Sequence, residues 1–274
     1  MLINSENYHS VEVNNEYMSV SQFKGFLPQY GGCEAKSMAK LRGEYVEKSK
    51  TAFLVGSYVH AFNEDMLEKF IEDHPEITTK GGALRADYIK ANNAIEVISR
   101  DKLFMTALSG QKEVIVTAEL FGIKWRIMID SFSEKLKRFT DLKYLKSLDD
   151  KVWNRELHLY EHVLEAYGYY LQVAIYSKVL SVNRKLDVGD YFEPLLAIVT
   201  KEDIPNKAIV GFISDQETLA TFIERQLFIV ENFIERVKEV KSGKVEPIRC
   251  GSCDYCRETK VLMGTTHYSD FSVY

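Results

Sequence analysis

Apolar side chains recur along this chain at two different periods, and the switch between them divides it into segments. From Thr51 to Phe70 the residues Phe53, Val55, Val59, Phe62, Met66 and Phe70 fall close to a 3.6-residue repeat, which predicts one amphipathic helix carrying His60 a turn after Gly56. Residues 83–105 predict a second, surface-lying helix. Ahead of both, SVSQFKGFLPQYGGC reads as a short Ser-capped helix, a Pro/Gly break and another helix that starts near Cys33. In the middle of the chain the period drops to two. Val114, Val116 and Ala118 alternate, Phe121-Gly122 turn the chain, Trp125, Ile127 and Ile129 lead to Asp130, and Asp141-Leu142-Lys143 follow a second turn at 133–137. This predicts a three-stranded β-meander. Beyond it the pattern predicts a long helix over 157–182, strands around 191–200 and 207–214, a helix over 216–241 and a cysteine-rich tail. The order implies an α/β layered fold with a mixed central sheet flanked by helices. With 5 Pro, 15 Gly and no linker-like tract, residues 1–274 read as a single domain.

Composition narrows the classes. At 274 residues, 46% hydrophobic and 27% charged, the chain has globular composition, which excludes disordered and collagen-like readings. No apolar run is long enough to span a membrane, and MLINSENYHS lacks the basic and apolar regions of a signal peptide, so a cytoplasmic location and no membrane partner are expected. A net charge of -5 argues against a surface that coats nucleic acid everywhere but leaves room for a local basic groove. Lys135, Lys137, Arg138, Lys143, Lys146 and Lys151, with Arg155 just beyond, are the candidates for such a groove; a solvated hairpin edge is the bland alternative. Tyr167, Tyr169, Tyr170 and Tyr176 offer rings for stacking, although helical spacing places at least two of them in the core.

Successive strand residues point to opposite faces, so Asp141 and Lys143 share one face while Leu142 points into the core. If the turn at 133–137 sets the two strands side by side, Asp130 reaches that same face. Two carboxylates converging with a lysine suit metal-assisted phosphodiester hydrolysis: hard oxygens for a divalent ion, and a cation to hold water and stabilise phosphate charge. Alone, an Asp-x-Lys triplet is weak evidence.

The ordered set is more specific: Gly56-x3-His60, Asp130, Asp141-x-Lys143, then Gln172-x3-Tyr176. It resembles the PD-(D/E)XK nuclease superfamily, in particular its RecB-like branch, over nearly the whole chain. The resemblance implies a restriction-endonuclease-like core. It also implies metal ligation by His60, Asp130, Asp141 and the carbonyl of Leu142, catalysis by Lys143, and a Gln172/Tyr176 pair that positions the lysine and contacts DNA. A core-rim pair remains the alternative for Gln172 and Tyr176, and a packing role the alternative for His60. The proline expected before the first acid is Ile129 here. Glu64 and Glu113 are left outside the metal shell as ordinary charges.

Cys250, Cys253 and Cys256 form a C-x2-C-x2-C run whose members cannot all point one way on a helix, so they must wrap around something, and Cys33 is the only other cysteine. Four thiolates fit either zinc or an iron-sulfur cluster. The flanking S-x-S-x-F-K-x-F and CGSCDYCRETK resemble the iron-sulfur subgroup of RecB-like nucleases, which implies a [4Fe-4S] cluster tying the N-terminal helix to the C-terminus; zinc and free thiols are the alternatives. Among that subgroup, phage RecE-like exonucleases (exodeoxyribonuclease VIII-like) are the most similar. They imply a Mg²⁺- or Mn²⁺-dependent exonuclease that resects duplex DNA ends, 5′ to 3′, for recombination by single-strand annealing. A homo-oligomeric ring, an annealing partner and, if phage-encoded, the host cytoplasm come with that resemblance. An endonucleolytic or CRISPR-adaptation-like nuclease, or a non-catalytic DNA-end-binding scaffold, are the competing readings.

Overall fold

The computed structural model describes residues 2–47, 51–212 and 215–265, together with 267 and 269. Three short helices open the chain: α1 (Val11–Glu16), α2 (Val20–Phe26) and α3 (Glu34–Leu41). The Ser19 hydroxyl caps α2 by accepting from the Gln22 N–H, and Cys33 occupies the N-cap of α3, both as the sequence predicts. Between these helices the chain folds back so tightly at Gly32 that a Cβ there would lie 2.5 Å from the Lys24 carbonyl oxygen. Only glycine permits that approach.

The helix expected from Thr51 to Phe70 is two, α4 (Thr51–Asn63) and α5 (Leu67–Asp73). Asp65 adopts a left-handed φ of 59° at the break, and the Met66 N–H returns to the Ala61 carbonyl. Val55, Val59, Phe62 and Phe70 of the repeat pack into one cluster across the break, with the Tyr58 and Phe70 rings 5.8 Å apart, while Phe53 and Met66 are exposed. The stretch 83–105 also divides, into α6 (Ala86–Ser99) and α7 (Lys102–Ala107), with the Asp101 carboxylate starting α7 by accepting from the Leu103 and Phe104 N–H groups.

The meander is β1 (Gln111–Leu120), β2 (Ile123–Ser133) and β3 (Arg138–Leu145). The long helix expected over 157–182 is corrected at its start. There the chain forms a separate hairpin of β4 (Lys151–Asn154) and β5 (Leu159–His162), and helix resumes only as α8 (Val163–Ala166) and α9 (Tyr169–Arg184). Local turn chemistry wins over helical propensity: the Asn154 side chain accepts from the Glu156 and Leu157 N–H groups, His158 takes a φ of 52°, and Gly168 at 63° separates the two helices. β6 (Glu193–Thr200), β7 (Lys207–Gly211), α10 (Gln216–Lys241) and α11 (Asp254–Glu258) complete the chain. Residues 213 and 214, the end of the second expected strand, lie outside the described residues.

The five-stranded sheet has the order β1-β2-β3-β6-β7, antiparallel except for the parallel β3–β6 pair. It is therefore mixed and, as expected, flanked by helices. Leu142, Ala197 and Val199 pack with Val55, Val59 and Ile95 of α4 and α6. The alternate residues Leu196 and Ile198 pack with Val173 of α9. Trp125, Ile127 and Ile129 join a larger cluster with Phe23 of α2, Val179 of α9 and Val230 of α10. β6 is thus buried on both faces, as a parallel central strand requires. No helix among the described residues is long and apolar enough to cross a membrane.

Candidate active site

The β2–β3 ladder pairs Ser133 with Arg138, Phe132 with Phe139 and Ser131 with Thr140. The next pair in that register is Asp130 opposite Asp141, and there the ladder stops. Instead of a backbone bond, the Asp130 carboxylate Oδ2 accepts from the Leu142 N–H at 2.7 Å. The strands diverge into a fork whose two prongs each carry a carboxylate. Ile129, in place of the expected proline, is fully buried with Trp125 and Ile127, so the position serves packing.

Lys143 lies two residues beyond Asp141 on the same strand face, its Nζ 2.5 Å from Asp141 Oδ2. The side chains are only 15% and 5% exposed. The other carboxylate oxygen, Oδ1, accepts from Gln172 Nε2 at 2.9 Å, so α9 fixes the rotation of Asp141. Tyr176, one turn later, is buried against Phe139 with ring centroids 6.3 Å apart, close to the core-rim alternative. Tyr170 packs between Phe212 and Phe222. Tyr169 instead lies under the lysine, with Nζ 4.9 Å from its ring centroid. The backbone N–H of Leu142 is engaged by Asp130 while its side chain is in the core with α4 and α6.

The helix α4 delivers the imidazole. His60 Nδ1 stands 3.5 Å from Asp130 Oδ1. Three residues on, the Asn63 carboxamide donates to the Asp130 carbonyl at 3.1 Å and accepts from Lys112 Nζ at 2.8 Å and Ser131 Oγ at 3.3 Å. Residues three apart share a helix face, so this clamp sets His60 over the fork. Asn63 and Lys112 have no sequence signature; the docking of α4 on β3 brings Asn63 to β2 and to Lys112 of β1.

Two further groups reach the site. Lys24 of α2 donates to the Tyr167 carbonyl at 2.7 Å and lies 5.5 Å from the Tyr169 ring centroid, near enough to Lys143 for mutual repulsion. Glu64, set aside in the sequence, lies within electrostatic reach of His60, Asp130 and Glu113.

Charge balance separates the two acids. Burial raises Asp130, but the charges of His60 and Lys143 and the Leu142 N–H outweigh it, so this carboxyl falls below the usual range. Asp141 goes the other way: burial dominates, Asp130 adds repulsion, and Lys143 only partly compensates. For Lys143, burial is overcome by the two carboxylates, and the amine is held above its ordinary range and stays protonated. His60 is pulled down by burial and pushed up further by Asp130, ending above its ordinary value. Burial and then Lys143 bring Lys24 down to about 8, whereas burial and then Glu113 raise Glu64 to about 7.

The donor set suits a hard divalent ion. Asp141 Oδ2 is buried with the Lys143 ammonium as its one close partner, a carboxylate lone pair still open to a cation, and Asp130 and His60 face the same fork. The basic stripe is less concentrated than its sequence spacing suggests. Lys135 and Lys137 lie in the turn before β3, and Lys146 lies beyond its far end, so they are separated by more than the strand length, roughly 25 Å. Lys137 and Lys146 also face Asp190 and Asp150.

Away from the fork, Cys33, Cys250, Cys253 and Cys256 come together, with all four sulfurs within 4.8 Å of one another. A cavity of about 570 Å³ separates this cluster from the β4–β5 hairpin and is lined by Tyr30, Trp153, Asn154, Arg155 and Tyr167.

Comparison with known proteins gives the same frame. Residues 19–259 match the family described as a PDDEXK-like domain of unknown function. The crystal structure of a protein described as a "putative exonuclease" from Eubacterium rectale is 38% identical, covers 98% of each chain and gives a TM-score of 0.88. A second solved structure, SSO0001, is 14% identical over 81% of this chain and 91% of that one, with a TM-score of 0.26 that carries no argument. No curated protein matches the chain.

Proposed function

The chain belongs to the PDDEXK-like family, and from that premise we propose that it is a divalent-metal-dependent deoxyribonuclease acting on duplex DNA ends. The observation that supports this most is the fork itself, where Asp130, Asp141, Lys143, His60 and Gln172 converge from two strands and two helices. His60, Asp130, Asp141 and the Leu142 carbonyl would hold Mg²⁺ or Mn²⁺. When bound, that ion supplies charge stabilisation for the phosphate and the departing oxygen. The roles of the side chains follow from their surroundings. Lys143, protonated at neutral pH, donates hydrogen bonds to water and to a phosphate oxygen but accepts no proton. Gln172 keeps Asp141 from rotating away from Lys143. Tyr169 supports the ammonium from below, and Lys24 offers a second cation to the phosphate chain.

Exonucleolytic action draws support from the description of the Eubacterium rectale protein. The finer expectations rest on the RecE-like resemblance alone: one nuclease domain, 5′ to 3′ polarity, recombination by single-strand annealing beside an annealing protein, a homo-oligomeric ring, and work in the cytoplasm. Digestion of end-labelled linear duplex, closed circles and single strands with Mg²⁺ tests the proposal. It predicts release from 5′ ends of linear duplex with closed circles intact. Cleavage of circles would replace it with an endonuclease, and release from 3′ ends would reverse the polarity.

A further inference from the structure

The four cysteines are too close together for the cluster that the sequence resemblance implies. The Sγ atoms of Cys33 and Cys256 are 3.6 Å apart, those of Cys250 and Cys256 3.9 Å, and no pair exceeds 4.8 Å. One ion bound tetrahedrally at about 2.3 Å from each sulfur sets neighbouring sulfurs about 3.8 Å apart. A cubane encloses four irons and four sulfides, which drives its cysteine sulfurs to roughly 6 Å from one another. The observed spacing, 3.6–3.9 Å for two pairs and no more than 4.8 Å for any, is closer to the first arrangement. It is also too long for a disulfide, whose sulfurs bond at about 2 Å.

The surrounding chain resists expansion. Cys33 begins α3, Cys253 is the N-cap of α11, and Cys256 is buried within that helix. Glu34, beside Cys33, accepts from Nε and Nη2 of Arg236 at 3.1 and 2.8 Å and from the Ile248 N–H at 2.7 Å. The Ala35 N–H donates to the Ile248 carbonyl, and Arg249 bonds the Cys256 carbonyl at 3.1 Å. These ties fix the backbone that carries Cys33 and Cys256, so a wider spacing has to come from the side chains alone.

We propose that Cys33, Cys250, Cys253 and Cys256 bind a single Zn²⁺ in a tetrahedral thiolate site, in place of a [4Fe-4S] cluster. Donors already aim at two of the sulfurs: the Cys253 N–H points at Cys250 Sγ at 3.3 Å, the Cys256 N–H at Cys253 Sγ at 3.5 Å, and the Ser252 hydroxyl at Cys250 Sγ at 3.7 Å. A dication lets all four sulfurs be anionic. The ion links residues 223 positions apart, joining α3 to α11, and lies outside the carboxylate fork. Its role is structural and independent of the nuclease reading.

The test is metal content of the full chain expressed with both zinc and iron supplied and purified without oxygen. One zinc per chain, no acid-labile sulfide and no colour are expected. Cobalt exchanged into the same protein should give the intense visible bands of a tetrahedral thiolate site. Cys250→Ser, at the exposed ligand, should lower zinc retention in a still-folded chain. A brown protein with about four irons and matching sulfide overturns the proposal. So does a parent chain that holds no metal, or a Cys250→Ser variant that keeps zinc as tightly as the parent.

Discussion

Lys143→Met removes the ammonium while keeping most of the aliphatic stem, so it isolates one interaction. In the parent, Lys143 and Asp141 meet at 2.5 Å with both side chains largely buried, and Asp141 has one other donor, Gln172. Without the lysine the carboxylate has Asp130 across the fork and little to offset burial. Leaving half of a buried pair costs about 3–5 kcal/mol. Protonation limits that loss: carrying the carboxyl neutral at pH 7, against an ordinary value near 3.9 at 1.36 kcal/mol per unit, costs at most about 4 kcal/mol, part of which the parent, with Asp141 already raised, also bears. For a chain of this size, that lowers Tm by roughly 10 °C. The sign follows from linkage. In the variant the folded pKa of Asp141 lies above its unfolded value, so the native state binds the extra proton and stability falls as pH rises between the two values. The deficit should shrink to about 1–2 kcal/mol at pH 5, and Asp141→Asn added to Lys143→Met should recover most of it at pH 7. Thermal melts across pH 5–8 with chelator present read all three quantities. A variant that melts within about 1 °C of the parent at pH 7, with no added pH slope, would refute the buried pair.

Three further outcomes follow from other contacts. Lys24, at about 8, is charged below that pH and neutral above it, so chelator-inhibited DNA binding, followed by fluorescence anisotropy, should weaken as pH rises from 7 to 9. Lys24→Arg should flatten that dependence; equal pH profiles for parent and variant would remove Lys24 from the DNA surface. Glu34→Gln keeps size but loses the charge that holds Arg236 and the Ile248 N–H, and should cost about 1.5–3 kcal/mol in urea unfolding. Gly32→Ala places a Cβ 2.5 Å from the Lys24 carbonyl and 2.6 Å from the Leu27 nitrogen, backbone atoms that cannot swing aside, so a loss of about 2–4 kcal/mol is expected in the same assay.

The central part of this fold is legible in sequence because alternation and turn residues are local signals. Val114 to Lys143 specify the meander, and its register sets Asp130 opposite Asp141 without knowledge of any other element. The order of motifs carried His60 and Gln172 to the same place, although nothing local says that α4 and α9 face the fork. Local signals failed where tertiary packing competes with periodicity. The helix at Thr51 to Phe70 breaks at Asp65 yet keeps its apolar repeat. LHLYEH serves equally as helix or strand and becomes β5 because Asn154 and His158 turn the chain. Lys24, Asn63 and Lys112 approach from separate elements and leave no spacing to read. Cysteine spacing marked the four sulfurs that converge, whereas their separations, which bear on one ion against four irons, appear only in the fold.

The measurement that bears most directly on the active-site assignment is the rate of nucleotide release from linear duplex DNA, with Mg²⁺ present, by Asp141→Asn compared with the parent. The substitution keeps the shape and the Gln172 contact at Oδ1, removes the anionic charge and puts an NH2 donor where Oδ2 accepts from Lys143. The assignment predicts a fall of at least roughly a thousandfold, with DNA binding retained, because a hard ligand and the partner of Lys143 are lost together. A variant that releases nucleotides within about tenfold of the parent would contradict it and place the chemistry elsewhere on the molecule.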